Sequence, residues 1–273
     1  MSHHRYRTVL MTSEHRRHKY VAQVIAEKLD LVGVVTEAKP PSTTARRLSP
    51  DATEDERLLD LHFRERDHVE TLYFGDPVFP VRGSGLLRVA RGKTSSQEVL
   101  EWIQGHRPDI LLLYGTSIIR DPVLSAFPDR VVNLHLGLSP YYRGSGTNFW
   151  PLYNDQPECV GFTVHLAVLK VDAGPILIQG RPKIELDDRI HEIGCKTIAT
   201  GAIALADAAW RLMSGDIQTV TQTGEGMKFL RRDFNAKSLA HVHRRLDDGM
   251  IPSYLQNTVS RKSQFPIVGE SAQ

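Results

Sequence analysis

Two apolar runs near the start of the chain, Thr8-Val9-Leu10-Met11 and Leu31-Val32-Gly33-Val34-Val35-Thr36, frame a segment of a different period. Within it Tyr20, Val21, Val24, Ile25 and Leu29 recur at helical spacing, which places them on one face of a helix. The short β-branched runs read instead as buried strands. A strand, a helix and a strand of this length form a βαβ unit, whose strands lie parallel in one sheet. Asp109 to Tyr114, ending at Gly115, and Val131 to His135 supply two further buried strands. The expected fold class is α/β: a Rossmann-like, doubly wound, mostly parallel sheet over residues 1–215. A small C-terminal helical and irregular extension is expected over 216–273, with its tail disordered from about residue 261.

Between these strands the pattern changes. Lys39 to Thr53 carries Pro40, Pro41 and Pro50 among Ser and Thr, the composition of a loop. It is expected to be mobile and to close over an acceptor. Glu54 to Leu72 is charge-rich and expected to be helical. Leu86 to Ala90 reads as a weak strand, and Thr94 or Ser95 caps a helix through His106. Gly161 to Leu166 and Ile176 to Gly180 read as strands. A helix turn is expected over Thr147 to Tyr153. A long helix is expected from Ile190 to Met213, stopped by Ser214-Gly215, and a last one around Ala236 to Leu246.

Composition narrows the function classes. The net charge is only +2 and 24% of residues are charged, so nothing in the whole-chain balance asks for nucleic acid. The two cysteines, Cys159 and Cys195, are too few for a disulfide framework and lack zinc spacing, so no metal is expected. They read as reduced core thiols. The polar opening lacks the apolar core of a signal peptide, and no run of about 20 apolar residues occurs. The default expectation is a cytoplasmic protein without membrane or nucleic-acid partners. A homodimer through apolar side chains of the C-terminal third is left open.

The chemistry concentrates in Asn133-Leu134-His135-Leu136-Gly137-Leu138-Ser139-Pro140-Tyr141-Tyr142-Arg143-Gly144, followed by Val171-Asp172-Ala173-Gly174. Residues two apart on a strand share a face, so Asn133 and His135 point the same way. An Asp alongside completes an amide, an imidazole and a carboxylate around one point. This set suits acyl transfer to an amine. The amide can donate to the oxygen that becomes negative, the imidazole can relay a proton, and the carboxylate fixes the ring and favours imidazolium. Taken singly each signal is bland. An Asn-x-His on a strand is usually structural, Asp-x-Gly is a common turn, and Arg143-Gly144 alone would be a surface turn.

Taken in order, Val132-Asn133-Leu134-His135, Pro140-Tyr141-Tyr142-Arg143-Gly144, Gly161-Phe162-Thr163-Val164-His165 and Asp172-Ala173-Gly174-Pro175-Ile176 resemble the 10-formyltetrahydrofolate-dependent formyltransferase family. The resemblance implies that Asn133, His135 and Asp172 are catalytic. It places the folate against Leu113, Tyr114, Gly115, Thr116 and Ile118 and against Val168, Leu169 and Val171. Location at the carboxyl ends of parallel strands is where open α/β sheets bind ligands. One departure stands out: relatives carry Ser where this chain has Gly137. The first strand also lacks the glycine-rich phosphate loop of the glycinamide ribonucleotide enzymes, and the chain lacks room for the C-terminal barrel of the methionyl-tRNA enzymes.

By resemblance to the amino-sugar members, the expected acceptor is a small-molecule primary amine on a nucleotide-linked amino sugar. Tyr142, Arg143, Gly144 and Arg16 are candidate acceptor residues, with Arg17 and Lys19 nearby as cations for a diphosphate. The alternatives are another small amine, such as an amino acid or a natural-product intermediate, or a non-catalytic folate or nucleotide binder.

Overall fold

The computed structural model describes residues 5–39 and 49–269. The strands are β1 (Arg7–Thr12), β2 (Asp30–Glu37), β3 (Leu86–Val89), β4 (Ile110–Tyr114), β5 (Val131–His135), β6 (Tyr142–Gly144), β7 (Phe162–Leu166), β8 (Ile176–Gly180) and β9 (Met227–Phe229). The helices are α1 (Arg16–Lys28), α2 (Glu54–Phe74), α3 (Gln97–Gly105), α4 (Val123–Ala126), α5 (Trp150–Tyr153), α6 (Ile190–Ser214), α7 (Ala236–Asp247), α8 (Met250–Gln256) and α9 (Thr258–Ser263).

Seven strands form one sheet in the order β3-β2-β1-β4-β5-β7-β8. The pairs from β3 to β5 are parallel, whereas β7 runs antiparallel to both β5 and β8. Side chains alternate across the sheet. Leu10, Leu112, Tyr114, Val132 and Leu134 pack with α1 and α6 on one face. Val9, Met11, Leu111, Leu113 and Val131 pack with α3 and α4 on the other. Two covered faces explain why Val9–Met11 of β1 and Ile110–Tyr114 of β4 are continuous apolar runs rather than alternating. The order reverses between β1 and β4, which opens a crevice at their carboxyl ends.

The helix signals meet specific partners. Thr53 and Glu56 form a reciprocal capping box that starts α2, satisfying donors a helix start otherwise leaves open. Ser96, rather than Thr94 or Ser95, caps α3. Of the expected mobile segment, residues 40–48 lie outside the described residues. At its ends Lys39 pairs with Glu37 and Thr53 holds α2.

The tail expected to be disordered is folded through residue 269. After α9, the Phe265 carbonyl accepts from Arg181, the Pro266 carbonyl accepts from the Tyr141 hydroxyl at 2.8 Å, and the Val268 carbonyl accepts from the Gln179 N–H at 3.0 Å. These are backbone contacts, which is why a polar sequence gave no sign of them. Residues after 215 also share a core with earlier ones: Leu239, Val242, Ile251 and Tyr254 pack with Tyr142, Trp150, Leu152 and Ile193. The small pair β6–β9 joins the two parts. No helix among the described residues is long and apolar enough to cross a membrane.

Candidate active site

β5 carries Asn133 and His135 to the carboxyl end of the sheet, on the face covered by α3 and α4. The antiparallel register with β7 places His165 directly opposite Asn133 and Thr163 opposite His135. Side chains opposite each other on one face are neighbours, and Asn133 Nδ2 lies 3.0 Å from His165 Nε2. His165 Nδ1 is 2.8 Å from the Leu166 carbonyl and must donate there, so Nε2 of the neutral ring accepts from Asn133. The second Asn133 N–H is left for the cleft.

Asp172 lies between β7 and β8 at φ 50°, in the left-handed region that Asp tolerates better than most residues. Its Oδ2 accepts from the Gly144 N–H at 3.1 Å. Its Oδ1 is 3.5 Å from His135 Nδ1 and 3.8 Å from His165 Nε2. Gly144 is itself at φ 93°, and a Cβ there would stand 2.2 Å from the Phe229 carbonyl oxygen. Only glycine lets that strand approach closely enough to hold Asp172.

Burial opposes ionisation of Asp172, but His135, His165 and the Gly144 N–H outweigh it and hold the carboxyl at about 2. His135 is buried, and burial pushes it below its usual 6.5; Asp172 and the Tyr142 carbonyl act the other way. His135 Nε2 donates to that carbonyl at 3.1 Å, so Nδ1 of the neutral ring is free to take a proton beside the carboxylate. Asn133, His135, His165 and Asp172 thus combine an N–H donor, a proton acceptor and a fixed anion at one point.

These residues open on a cleft of about 940 Å³. This is near the top of the ~300–1,000 Å³ range of ligand pockets. Leu113, Tyr114, Gly115, Thr116, Ile118, Val168 and Val171 line it, whereas Leu169 does not. The Thr116 hydroxyl is buried there with no partner. Glu37, at the end of β2, holds this wall. It accepts from the Ser117 N–H at 2.9 Å, the Ser117 hydroxyl at 2.7 Å, the Gly92 N–H at 2.8 Å and Lys39 at 2.9 Å.

Three candidate acceptor residues are placed differently from expectation. Tyr142 is fully buried; its hydroxyl bonds Gln156 and Asn154 and its ring stacks on Phe229, so only its carbonyl serves the site. Arg143, on the alternate face of β6, donates to Gln222 at 2.8 Å and does not line the cleft. Arg16 binds the Gly75 carbonyl and Asp76, again outside the cleft. One residue on, a turn of about 100° around the helix, Arg17 lines the cleft and donates to Glu70 at 2.5 Å. Gly144 does line the cleft, and its N–H serves Asp172.

Gly137 is accounted for by Thr147. A Cβ at residue 137 would lie 2.6 Å from Thr147 Cβ, 2.7 Å from Thr147 Oγ1 and 2.7 Å from His135 Nε2. The Thr147 hydroxyl donates to the Leu136 carbonyl, so a hydroxyl remains beside His135 although it comes from another segment.

The sequence profile of the family described as formyl transferase matches residues 3–208. The chain belongs to the formyl transferase family. A GDP-perosamine N-formyltransferase of Brucella melitensis biotype 1 is 30% identical over 138 residues, covering 50% of this chain and 52% of that protein. The chain therefore spans about half the length of the curated relatives it matches. Among solved structures, a sugar N-formyltransferase from Shewanella sp. FDAARGOS_354 has a TM-score of 0.56 at 18% identity, covering 85% of this chain and 79% of its own. An N-formyltransferase from Helicobacter canadensis, solved with folinic acid and dTDP-3-aminofucose, has a TM-score of 0.51 at 15% identity, covering 85% and 73%. At such identities these structures speak to the fold that this member of the family shares with them.

Reading the sequence alone left out His165, Asn148 and a polar stripe on α2. His165 stands in the block after Gly161, but only the β5–β7 register brings it to Asn133. The buried Asn148 amide nitrogen lines the same cleft without a partner. His62, Arg66 and Glu70 recur every four residues and all line the cleft, a legible signal within a helix already expected.

Proposed function

We propose that the chain is a folate-dependent N-formyltransferase that moves a formyl group from 10-formyltetrahydrofolate to the primary amine of a nucleotide-linked amino sugar. The observation that carries this is the meeting of Asn133, His135 and Asp172 in one cleft of about 940 Å³. Family membership supports the reaction class, and the relatives named above support an amino-sugar acceptor. The proposal includes a cytoplasmic location, which two buried, unbridged cysteines support.

The donor wall fits a pterin. Leu113, Ile118, Val168 and Val171 offer apolar contact, and the unpartnered Thr116 hydroxyl and the Tyr114-Gly115 backbone offer polar groups. When bound, the folate supplies the formyl carbon. The free Asn133 N–H stabilises negative charge developing on the formyl oxygen. His135 Nδ1 takes the proton from the attacking amine and would return it to the leaving donor nitrogen as the formyl–nitrogen bond breaks, while Asp172, ionised at 3.5 Å, stabilises the imidazolium in between. His165 holds the Asn133 amide in the donating orientation.

The test is a turnover assay with 10-formyltetrahydrofolate against a panel of nucleotide-linked amino sugars and free amines. Formylated product from a nucleotide-linked sugar, lost by at least about 100-fold in His135→Ala, is the expected result. Product only with free amines would overturn the acceptor. Binding of the folate without turnover on any amine would overturn the enzyme reading.

A further inference from the structure

A second wall of the cleft is built by α1, α2, the start of α6 and residues 230–234, and the formyl-transfer chemistry leaves it unused. Three buried polar atoms there have no partner: His62 Nδ1, Arg66 Nε and His191 Nε2. His62 is only 7% exposed, and its ring lies 4.5 Å from that of His191. The Arg66 guanidinium sits over the Phe63 ring at 4.9 Å. Its nearest carboxylates are the partly exposed Asp67 at 3.5 Å and Glu70 at 3.7 Å. Glu70 is already engaged by Arg17 at 2.5 Å. Arg231 lines the same wall. A buried polar atom without a partner is costly, by ~1–3 kcal/mol, and three converging from two helices, one of them the Arg66 N–H, are better explained by a ligand than by packing. Among the described residues no three His, Cys, Asp or Glu side chains are placed to hold a metal ion.

We propose that Arg66, His62 and His191 form a seat for an oxyanion of the acceptor, specifically a phosphate of a nucleoside diphosphate. Arg66 supplies an N–H that only an acceptor atom can satisfy, and guanidinium groups suit phosphate oxygens. The two imidazoles accept from a neighbouring hydroxyl or donate after taking a proton. The seat replaces Arg16 and Arg143 as the place where acceptor charge is met. It rests on the formyl-transfer reading of the same cleft.

Calorimetric titration separates the two. Wild type, Arg66→Met and His191→Phe are titrated with pyrophosphate, with glucuronate as a carboxylate probe, and with 5-formyltetrahydrofolate as a stable donor analogue. The expected result is pyrophosphate binding weakened 10- to 100-fold in either variant, with folate binding within about twofold of wild type. Equal pyrophosphate binding in wild type and both variants overturns the seat, as does no pyrophosphate binding to wild type. Variant-dependent binding of glucuronate alone overturns the phosphate assignment. Loss of folate binding instead assigns the wall to the donor and overturns the proposal. Should Arg66→Met fail to fold, His191→Phe carries the same comparison. Failure of the seat leaves folate binding and turnover intact, whereas failure of the transferase reading removes turnover.

Discussion

His135 is held between two acceptors, the Tyr142 carbonyl at 3.1 Å and Asp172 at 3.5 Å, yet burial keeps its affinity for a proton below the ordinary 6.5. As a base it must be neutral, so kcat/KM is expected to fall on the acid side with a midpoint below 6.5. Asp172→Asn removes the anion that favours the protonated ring, so that midpoint moves further acid while the rate drops by about 100-fold or more. A pH–rate profile of the variant with an unchanged or higher midpoint would break the assignment. Gly137 gives a second expectation. Gly137→Ala forces a Cβ against Thr147 and His135 and is expected to cost about 1–3 kcal/mol. Adding Thr147→Gly should recover part of that loss, so urea unfolding of the double variant tests whether the two sites compensate. The cluster of Asn133, His135 and Asp172 was legible because strand alternation puts the first two on one face and the resemblance supplies the Asp. The acceptor side was not: Tyr142 and Arg143 depend on which face a three-residue strand turns inward, and Arg16 against Arg17 depends on the phase of one helix.

Among the elements, β2 acts on the site without touching its chemistry. Its last residue, Glu37, collects three backbone and side-chain donors from residues 92 and 117 together with Lys39. Burial disfavours its charge, but the Gly92 N–H, Ser117 and Lys39 hold it ionised, at about 2. Glu37→Gln loses the anion and one acceptor and loosens the Gly115–Ile119 wall. The KM for the formyl donor is expected to rise about tenfold with a smaller change in kcat, in line with one lost charge-assisted hydrogen bond. An equal fall in kcat with KM unchanged would refute a positioning role. The helices and strands from β1 to α7 were largely legible because each buries a periodic apolar face. β6, β9 and α8–α9 were not: the strands have three residues each and exist only through their mutual pairing.

Across the molecule, several histidines are buried neutral. His15 and His191 are pushed down to about 4 and His62 to about 3, in each case mainly by burial. Above 6.5 these groups are neutral both folded and unfolded and contribute no pH dependence. Below 6.5 the unfolded chain takes up protons that the folded one refuses, so stability falls as pH drops from 6.5 towards 4. A loss of roughly 1–3 kcal/mol between pH 7 and pH 5 is expected from urea midpoints. His62→Phe should flatten that slope, and an unchanged slope would show that this histidine titrates alike in both states. The overall sheet was legible in the sequence, while the docking of residues 265–268 on it was not, since those contacts are made by backbone carbonyls.

Those carbonyls have a further consequence at the rim. β8 is the last strand of the sheet, bonded to β7 on one side. On its open side Val220 pairs with Ile176 and Val268 exchanges hydrogen bonds with Gln179. An uncovered strand is a template on which another chain can add itself. Shortening the protein to end at Ser263 would uncover the Gln179 end of that template, and light scattering of the shortened protein is expected to show concentration-dependent self-association that the full chain does not.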